Sequence, residues 1–319
     1  MNTHFLFISL KNSLKFFILF VPSFFCFLHG NSKIIGLVPV RNEATIIAQC
    51  LKALALHTDA IIVLDDASED DTVSMVESLA QQCHIAKIIC KKTWIRDEPG
   101  DRNALLKAGR EIGGTHFIVI DADEILTANC LSNNILKKRI LELKPGDKLC
   151  ITWIQLWRSV DQYRHDKSCW SNQQGDFIFC DSGTAFYSSD FIHTSRSPNN
   201  NMPGKVYSFD TTYTYGLMHF QFVNWNNLLV KQAWYRCLER IRDPKKSIST
   251  INEIYKDSKN ETGIVLKRSH ADWFEGYYFF DKSRYLMGES WQKKQVVQWF
   301  AHYGKDFFKG LDIWDIDWR

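Results

Sequence analysis

The sequence FIVIDADE, residues 117–124, decides the fold, because an apolar run of strand length ends in closely spaced carboxylates. The run predicts a buried strand, with Asp121 and Asp123 just beyond its carboxyl end. Two carboxylates one residue apart repel each other and are costly to desolvate, so they persist best where a divalent cation bridges them. The stretch indicates a Mg²⁺ or Mn²⁺ site that also takes substrate phosphate oxygens. An Asp-rich turn that only caps the next helix is the alternative.

Composition limits the class of protein. A chain of 319 residues with 45% hydrophobic and 14% aromatic content can fill one large α/β domain or two smaller ones. A formal charge of +3, with no Lys/Arg block, argues against nucleic acid as a partner. Nine cysteines without a Cys-x-x-Cys pair argue against structural zinc or a disulfide scaffold, although one or two bridges stay open.

The first 32 residues predict a hydrophobic leader or anchor outside the fold. The apolar stretch 16–28 is shorter than the ~20 residues that span a bilayer. We expect a membrane-associating leader, with a cleaved signal as the alternative. The expected location is cytoplasmic and membrane-associated. Since Lys11 and Lys15 precede the apolar stretch, the lumen of the secretory pathway is the alternative.

Residues 33–143 alternate apolar runs with helix-like segments, which predicts a mostly parallel sheet flanked by helices. The predicted strands, each buried on both faces, are residues 34–40, 60–64, 85–90 and 117–120. The predicted helices are residues 43–57, 72–82 and 101–112. Polar clusters follow these strands, and ligands of open parallel sheets bind beyond the carboxyl ends of the strands.

The pattern changes after residue 144. We predict short strands at residues 149–156, 177–179, 184–187 and 213–220, and a loop at residues 197–204. Residues 225–242 predict a long helix, and two or three further helices follow in an aromatic-rich tail. The predicted divisions are therefore residues 33–143, residues 144–224 and a helical C-terminal extension, residues 225–319.

Four polar clusters occur together in order: VPVRNE at residues 38–43, LDDASEDDT at residues 64–72, DRNAL at residues 101–105 and DAD at residues 121–123. This set resembles the nucleotide-binding half of glycosyltransferase family 2, over roughly residues 34–130. The resemblance implies a GT-A fold, which is a Rossmann-like α/β fold, and a nucleotide-sugar donor. It assigns residues 33–143 to the donor and residues 144–224 to the acceptor.

The resemblance also implies roles for single residues. The loop that holds the nucleoside comprises Pro39, Arg41, Asn42 and Glu43. Asp66, beside Asp65, would accept a hydrogen bond from uracil. Arg102 would donate to the base or the diphosphate, for which a guanidinium is suited.

The implied metal site takes Mn²⁺ or Mg²⁺. Asp121 would contact both the ribose and the metal, and Asp123 the metal. His219 is similar in placement to a histidine that supplies a further metal ligand in some GT-A enzymes. A histidine hydrogen-bonded within an aromatic core is the alternative for His219.

Family 2 enzymes invert the anomeric carbon, so a carboxylate must take the proton of the acceptor hydroxyl. The usual acidic motif for that base is not recognisable in this sequence. We predict Asp181 as the base, because it lies in a polar turn of the acceptor half, with Asp176 and Asp210 as rivals.

These observations predict an inverting, metal-dependent glycosyltransferase that moves a sugar from a UDP-sugar to a saccharide or lipid-linked acceptor. A haloacid-dehalogenase-type phosphatase is one alternative, since it also uses two Asp residues spaced by one after a strand. Its motif belongs to the first core strand, whereas three strands precede this one. A non-catalytic sugar-binding module is the other alternative.

Overall fold

The computed structural model describes residues 32–188, 194–199, 204–288 and 290–319. The predicted leader lies outside these residues except for Ser32, and so do residues 200–203 of the predicted loop. Within the described part of the chain, no helix is both long enough and apolar enough to cross a membrane.

The secondary structure alternates strands and helices in the first half and becomes helical towards the C-terminus. The strands are β1 (Ile34–Val40), β2 (Ala60–Asp65), β3 (Ile85–Cys90), β4 (His116–Val119), β5 (Glu124–Leu126), β6 (Lys148–Gln155), β7 (Gln162–Arg164), β8 (Gln174–Cys180), β9 (Val206–Ser208), β10 (Leu217–His219) and β11 (Leu266–Arg268). The helices are α1 (Ile47–Ala55), α2 (Thr72–Ser78), α3 (Glu98–Glu111), α4 (Ile135–Leu141), α5 (Trp225–Arg242), α6 (Ile248–Ile254) and α7 (Trp291–Tyr303). Short 3-10 helices lie at Ala128–Asn134, Lys256–Lys259, Ala271–Trp273, Lys282–Leu286 and Lys305–Phe308.

A nine-stranded sheet organises the described chain. Its order is β3-β2-β1-β4-β8-β6-β10-β5, with β9 beside β6, while β7 and β11 form a separate pair. Strands β1 to β4 are parallel, as predicted, and β8 runs antiparallel to both β4 and β6. Strand β10 is parallel to β6. The carboxyl ends of β1, β2, β4, β6 and β10 therefore meet at one edge of the sheet.

The sheet is covered on both faces. Alternate residues of β1 point in opposite directions, so Val38 belongs to a cluster with Leu51 of α1, while Leu37 packs with Leu105 of α3. Each fully buried aliphatic side chain stabilises the fold by roughly 1.5–3 kcal/mol. This burial fixes the strand register and with it the residues that reach the carboxyl edge.

Two of the strand predictions are wrong. Strand β3 is not buried on both faces, because it is the edge strand of the sheet and its side chains are half-buried or exposed. Residues 184–187 form no strand, and Phe186 makes only an isolated bridge with Asn199. The remaining predicted strands are confirmed with shifts at their ends.

The helix ends differ from the prediction for local reasons. Helix α1 begins at Ile47, not at residue 43, because the preceding residues form a loop at the edge of the sheet. Helix α3 begins at Glu98, three residues early, since the side chain of Asp97 accepts a hydrogen bond from the backbone N–H of Gly100. The long helix predicted at residues 225–242 is confirmed as α5.

The C-terminal helices pack on the first half of the chain as well as on each other. Helices α5 and α7 share a core that includes Trp234 and Phe300. The ring of Trp94, in the loop after β3, lies 6.2 Å from that of Trp234. The extension therefore approaches the loops that carry the predicted site. All eight cysteines in the described residues are free thiols, and five are buried.

Candidate functional site

The loops that follow β1 and β2 are joined by hydrogen bonds. The backbone N–H of Asn42 donates to Ser68 Oγ at 2.8 Å, and that of Glu69 donates to Asn42 Oδ1 at 2.7 Å. Asn42 and Ala67 have positive φ angles of 52° and 56°. Such backbone costs energy outside glycine and persists where the surroundings fix it, often at functional sites. The loops that follow β1 and β2 thus form one continuous rim at the carboxyl edge of the sheet.

Arg41 links this rim to the C-terminal extension. Its Nη1 donates to the carbonyl oxygens of Asp66 and Ala67. Its guanidinium carbon lies 5.3 Å from the ring centroid of Trp94 and 5.1 Å from that of Trp291. Nη1 of Arg41 is therefore used inside the protein, whereas its Nε is buried without a hydrogen-bond partner among the described residues.

The two aspartates at the end of β2, Asp65 and Asp66, are buried and contact other groups of the protein. Asp65 Oδ2 accepts from the backbone N–H of Ser68 at 2.9 Å. Asp66 Oδ1 lies 2.6 Å from Nζ of Lys91, which also binds Asp101 at 2.9 Å. A base that hydrogen-bonded to Asp66 would share this carboxylate with Lys91. Lys91 was not among the predicted residues, although it directly follows β3.

The carboxylate of Asp121 faces two arginines, Arg196 and Arg102. Its Oδ1 pairs with Arg196 and lies 3.7 Å from Nη2 of Arg102. Glu124 completes the cluster, since its Oε1 accepts from Arg196 Nη2 at 3.0 Å and its Oε2 from the backbone N–H of Asp121 at 2.7 Å. Burial raises the pKa of Asp121, but Arg196 and Arg102 outweigh it and hold that pKa below its ordinary value. Burial raises the pKa of Glu124.

Arg102 carries donors without acceptors. The residue is 5% exposed, and its Nε and Nη1 are buried with no hydrogen-bond partner among the described residues. An unsatisfied buried donor is unfavourable, so the site is incomplete without an acceptor. Oxygen atoms of an anionic ligand are suited to this guanidinium.

Asp123 faces an imidazole and an ammonium group. Its Oδ2 lies 3.6 Å from His219 Nε2 and 3.4 Å from Lys231 Nζ. The backbone N–H of Phe220 donates to the carbonyl of Asp123 at 3.0 Å, which holds the end of β10 against the acidic motif. Burial raises the pKa of Asp123, but its surroundings, the ammonium group of Lys231 first among them, outweigh burial and hold that pKa well below its usual range.

A cavity of about 330 Å³ opens between the rim and the C-terminal extension. Its walls include Arg41, Asn42 and Glu43 from the first loop and Asp123 from the acidic motif. The extension contributes Lys231 among others. Burial, and then repulsion from Asp123, raises the pKa of Glu43 to about 8. Pro39 is half-buried on β1, opposite Leu64.

The structure places Asp181, the predicted base, at the edge of the sheet opposite to Asp121. Strand β8 is antiparallel to β4, and the backbone N–H of Asp181 donates to Thr115 before β4 begins. Asp121 lies six residues further along, which corresponds to roughly 20 Å at the rise of a strand. Asp181 instead accepts two hydrogen bonds of 2.7 Å from Arg110.

Asp176 and Asp210, the alternative candidates for the base, lie in different parts of the fold. Asp176 lies near the start of β8, and since Ile178 pairs with Ile118, Asp176 reaches the edge that carries Asp121. Its Oδ2 accepts from Lys148 Nζ at 3.0 Å. Asp210 accepts from the backbone N–H groups of Thr212 and Tyr215 and so shapes a turn.

A divalent cation fits the chemistry of two of the predicted ligands. Asp123 and His219 present an oxygen and a nitrogen 3.6 Å apart, a separation that one ion could bridge. The carboxylate of Asp121 instead pairs with Arg196 and lies near Arg102. In the part of the chain that the structure describes, no group of three or more His, Cys, Asp or Glu side chains could hold a metal. Two protein ligands are enough where substrate phosphate and water complete the shell.

An α/β fold with a polar site at the carboxyl edge of a parallel sheet is typical of nucleotide-binding enzymes. Residues 37–137 match the model of the family described as Glycosyl transferase family 2. The match shows that this part of the chain is similar to that family. The match confirms the resemblance found in the sequence and favours a glycosyltransferase over the phosphatase alternative.

Solved structures show a distant overall likeness. TarS 1–349 from S. aureus is 15% identical, with a TM-score of 0.41, over 88% of this chain and 81% of that one. The mannosyltransferase PcManGT from Pyrobaculum calidifontis, in complex with GDP-Man and Mn²⁺, is 14% identical, with a TM-score of 0.38, over 86% and 77%. Glucosyl-3-phosphoglycerate synthase from Mycobacterium tuberculosis is 21% identical, with a TM-score of 0.29, over 40% and 45%. At these scores the likeness gives no residue a role.

Proposed function

We propose that the protein is an inverting, metal-dependent glycosyltransferase that transfers a sugar from a UDP-sugar to a saccharide or lipid-linked acceptor. The observation that carries the proposal is the position of Asp123, which faces His219 Nε2 and Lys231 Nζ at the wall of a cavity. In this assignment residues 33–143 bind the donor and residues 144–224 bind the acceptor. The extension, residues 225–319, contributes Lys231.

The donor diphosphate is assigned to the cationic side of the site. Arg102 has two buried donors without partners in the described residues, and Lys231 lies beside Asp123. An opposite-charge pair at ~4 Å in an effective dielectric of about 20 is worth on the order of 4 kcal/mol before desolvation. The nucleoside is assigned to the loop from Pro39 to Glu43 and to Asp66.

Asp123 and His219 are assigned as the protein ligands of Mn²⁺ or Mg²⁺. A carboxylate combined with an imidazole favours Mn²⁺, because Mg²⁺ takes oxygen ligands almost exclusively. When bound, the cation neutralises the charge that develops on the leaving diphosphate. Asp121, held by Arg196 and Arg102, is assigned to the ribose.

Inversion needs a base on the acceptor side of the sugar. Asp176 is the candidate that lies at the edge of the sheet that carries Asp121, and its carboxylate accepts a hydrogen bond from Lys148. It would take the proton of the acceptor hydroxyl as that oxygen attacks the anomeric carbon.

The test uses the full chain with Mn²⁺ and each common UDP- and GDP-sugar, and measures donor binding and slow donor hydrolysis. We expect metal-dependent binding that Asp123→Asn abolishes. Asp161→Asn is the matched control, because Asp161 is an exposed aspartate that pairs with Lys282. Sugar binding that is indifferent to a chelator would instead support a non-catalytic module. Absence of donor binding by the wild-type chain would refute the proposal.

A further inference from the structure

One row of side chains crosses three neighbouring strands at the carboxyl edge. Glu124 of β5 is registered opposite His219 of β10, which is registered opposite Gln155 of β6. Directly opposed residues project from the same face of a sheet. The strand register therefore places Glu124 on one side of the His219 imidazole and Gln155 on the other.

Gln155 fixes which nitrogen of His219 carries the proton. His219 Nδ1 lies 2.7 Å from Gln155 Oε1, an amide oxygen that can only accept. A neutral imidazole with its proton on Nδ1 presents an unprotonated Nε2. That nitrogen lies 3.6 Å from Oδ2 of Asp123, so two atoms that can bind a cation lie close together. The arrangement suits a cation between them.

The plane of the ring is fixed as well. The Trp153 ring stacks on His219 with centroids 4.7 Å apart and planes 17° from parallel. Rotation of the imidazole about this stack is limited by the hydrogen bond to Gln155. If Gln155 were absent, the proton could move to Nε2 and be donated to Asp123, which would block the ligand position.

We infer that Gln155 is a positioning residue, which holds His219 in the Nδ1–H tautomer so that Nε2 and Asp123 bind a divalent cation together. The inference rests on the proposed function, in which these two residues are the metal ligands. Histidine ligands of metals are commonly oriented by a partner that accepts the proton of the other ring nitrogen.

The other half of the Gln155 amide supports a role beyond packing. Its Nε2 is buried and has no hydrogen-bond partner among the described residues. A buried unsatisfied amide is unfavourable, so an apolar side chain of similar size would suit a purely structural position better. A glutamine at this position is explained if His219 needs its side-chain carbonyl oxygen as a hydrogen-bond acceptor.

The test compares Gln155→Leu with Gln155→Glu in the full chain and measures Mn²⁺ affinity by electron paramagnetic resonance. We expect Gln155→Leu to weaken Mn²⁺ binding by ~10–100-fold and Gln155→Glu, which keeps an acceptor for Nδ1–H, to retain most of it. Gln162→Leu is the matched control, because Gln162 donates to a backbone carbonyl elsewhere in the fold. Long-range ¹⁵N–¹H spectra of the His219 ring report the tautomer, which we expect to shift to Nε2–H in Gln155→Leu.

The outcomes separate this inference from the proposed function. If the wild-type chain binds no Mn²⁺, with or without UDP, both fail. If it binds Mn²⁺ and Asp123→Asn abolishes the binding, the metal assignment stands. An unchanged tautomer and an unchanged Mn²⁺ affinity in Gln155→Leu would then overturn the role of Gln155 alone. A chain that loses its fold in Gln155→Leu is replaced by Gln155→Met, to which the same two readouts apply.

Discussion

Lys231 Nζ lies 3.4 Å from Oδ2 of Asp123, so helix α5 of the C-terminal extension brings a cation to the acidic motif that follows β4. Glu43 lines the same cavity, and its pKa is raised to about 8 by burial and by Asp123. Glu43, Asp123 and Lys231, which come from distant parts of the chain, therefore interact electrostatically. The extension therefore lines the cavity of the candidate site together with the first half of the chain.

We expect Lys231→Met to weaken UDP binding by about 10–100-fold, because a charge-assisted hydrogen bond is worth about 1.5–3 kcal/mol. Lys231→Arg, which keeps the charge, should retain more of the affinity. Isothermal titration calorimetry with UDP, with and without Mn²⁺, measures the effect. Equal UDP affinity in wild type and Lys231→Met would show that Lys231 does not contact the diphosphate.

Asp176 and Asp181 provide a matched pair, because they occupy opposite ends of β8. We expect Asp176→Asn to slow sugar transfer by about 100-fold or more while donor binding is retained, as for removal of a general base. Initial rates with a competent acceptor, together with donor binding, distinguish the two effects. Full transfer activity in Asp176→Asn would refute its assignment as the base.

Asp181→Asn should leave transfer unchanged and lower the free energy of unfolding. Its buried carboxylate accepts two hydrogen bonds from Arg110, and charge-assisted bonds contribute about 1.5–3 kcal/mol. Urea denaturation followed by circular dichroism measures this loss. A catalytic defect in a folded Asp181→Asn variant would contradict its position at the far edge of the sheet.

The cluster of Arg196, Asp121 and Glu124 should contribute strongly to stability. Removal of one partner from a buried ion pair leaves an uncompensated charge, so we expect Arg196→Leu to lower the free energy of unfolding by about 3–5 kcal/mol. Arg139→Leu is the control, since Arg139 forms an exposed pair with Glu142 that is worth about 0–1 kcal/mol. Similar losses in both variants, measured in urea, would show that the cluster is not energetically distinct.

The parallel half of the fold could be predicted because its strands are continuous apolar runs. The runs at β1 and β2 match the observed strands within one residue, and α5 is matched at both ends. Strand β3 has a similar composition, yet it lies at the edge of the sheet. Strand order depends on long-range pairing, which a local pattern does not contain.

The site could be predicted only where its residues follow parallel strands. Asp66, Asp121 and Asp123 belong to such positions. The sequence does not show in which direction β8 runs, so the position of Asp181 at the opposite edge could not be predicted. The path of the loop after β8 is not encoded in a local pattern either, so Arg196 could not be anticipated. Lys231 is one of several basic residues on α5, and only packing selects it.

His57 should make stability fall in mild acid. It is buried, its Nε2 lies 3.2 Å from the hydroxyl of Tyr277, and burial lowers its pKa to about 4. Between pH 6.5 and 4 the unfolded chain binds this proton and the folded chain does not, so the free energy of unfolding decreases as pH falls, by roughly 3 kcal/mol over the window. His57→Phe should flatten this part of the profile relative to wild type, whereas His302→Gln, at an exposed position, should not. Urea titrations at half-unit pH steps measure the difference, and identical slopes in wild type and His57→Phe would show that His57 is protonated equally in both states.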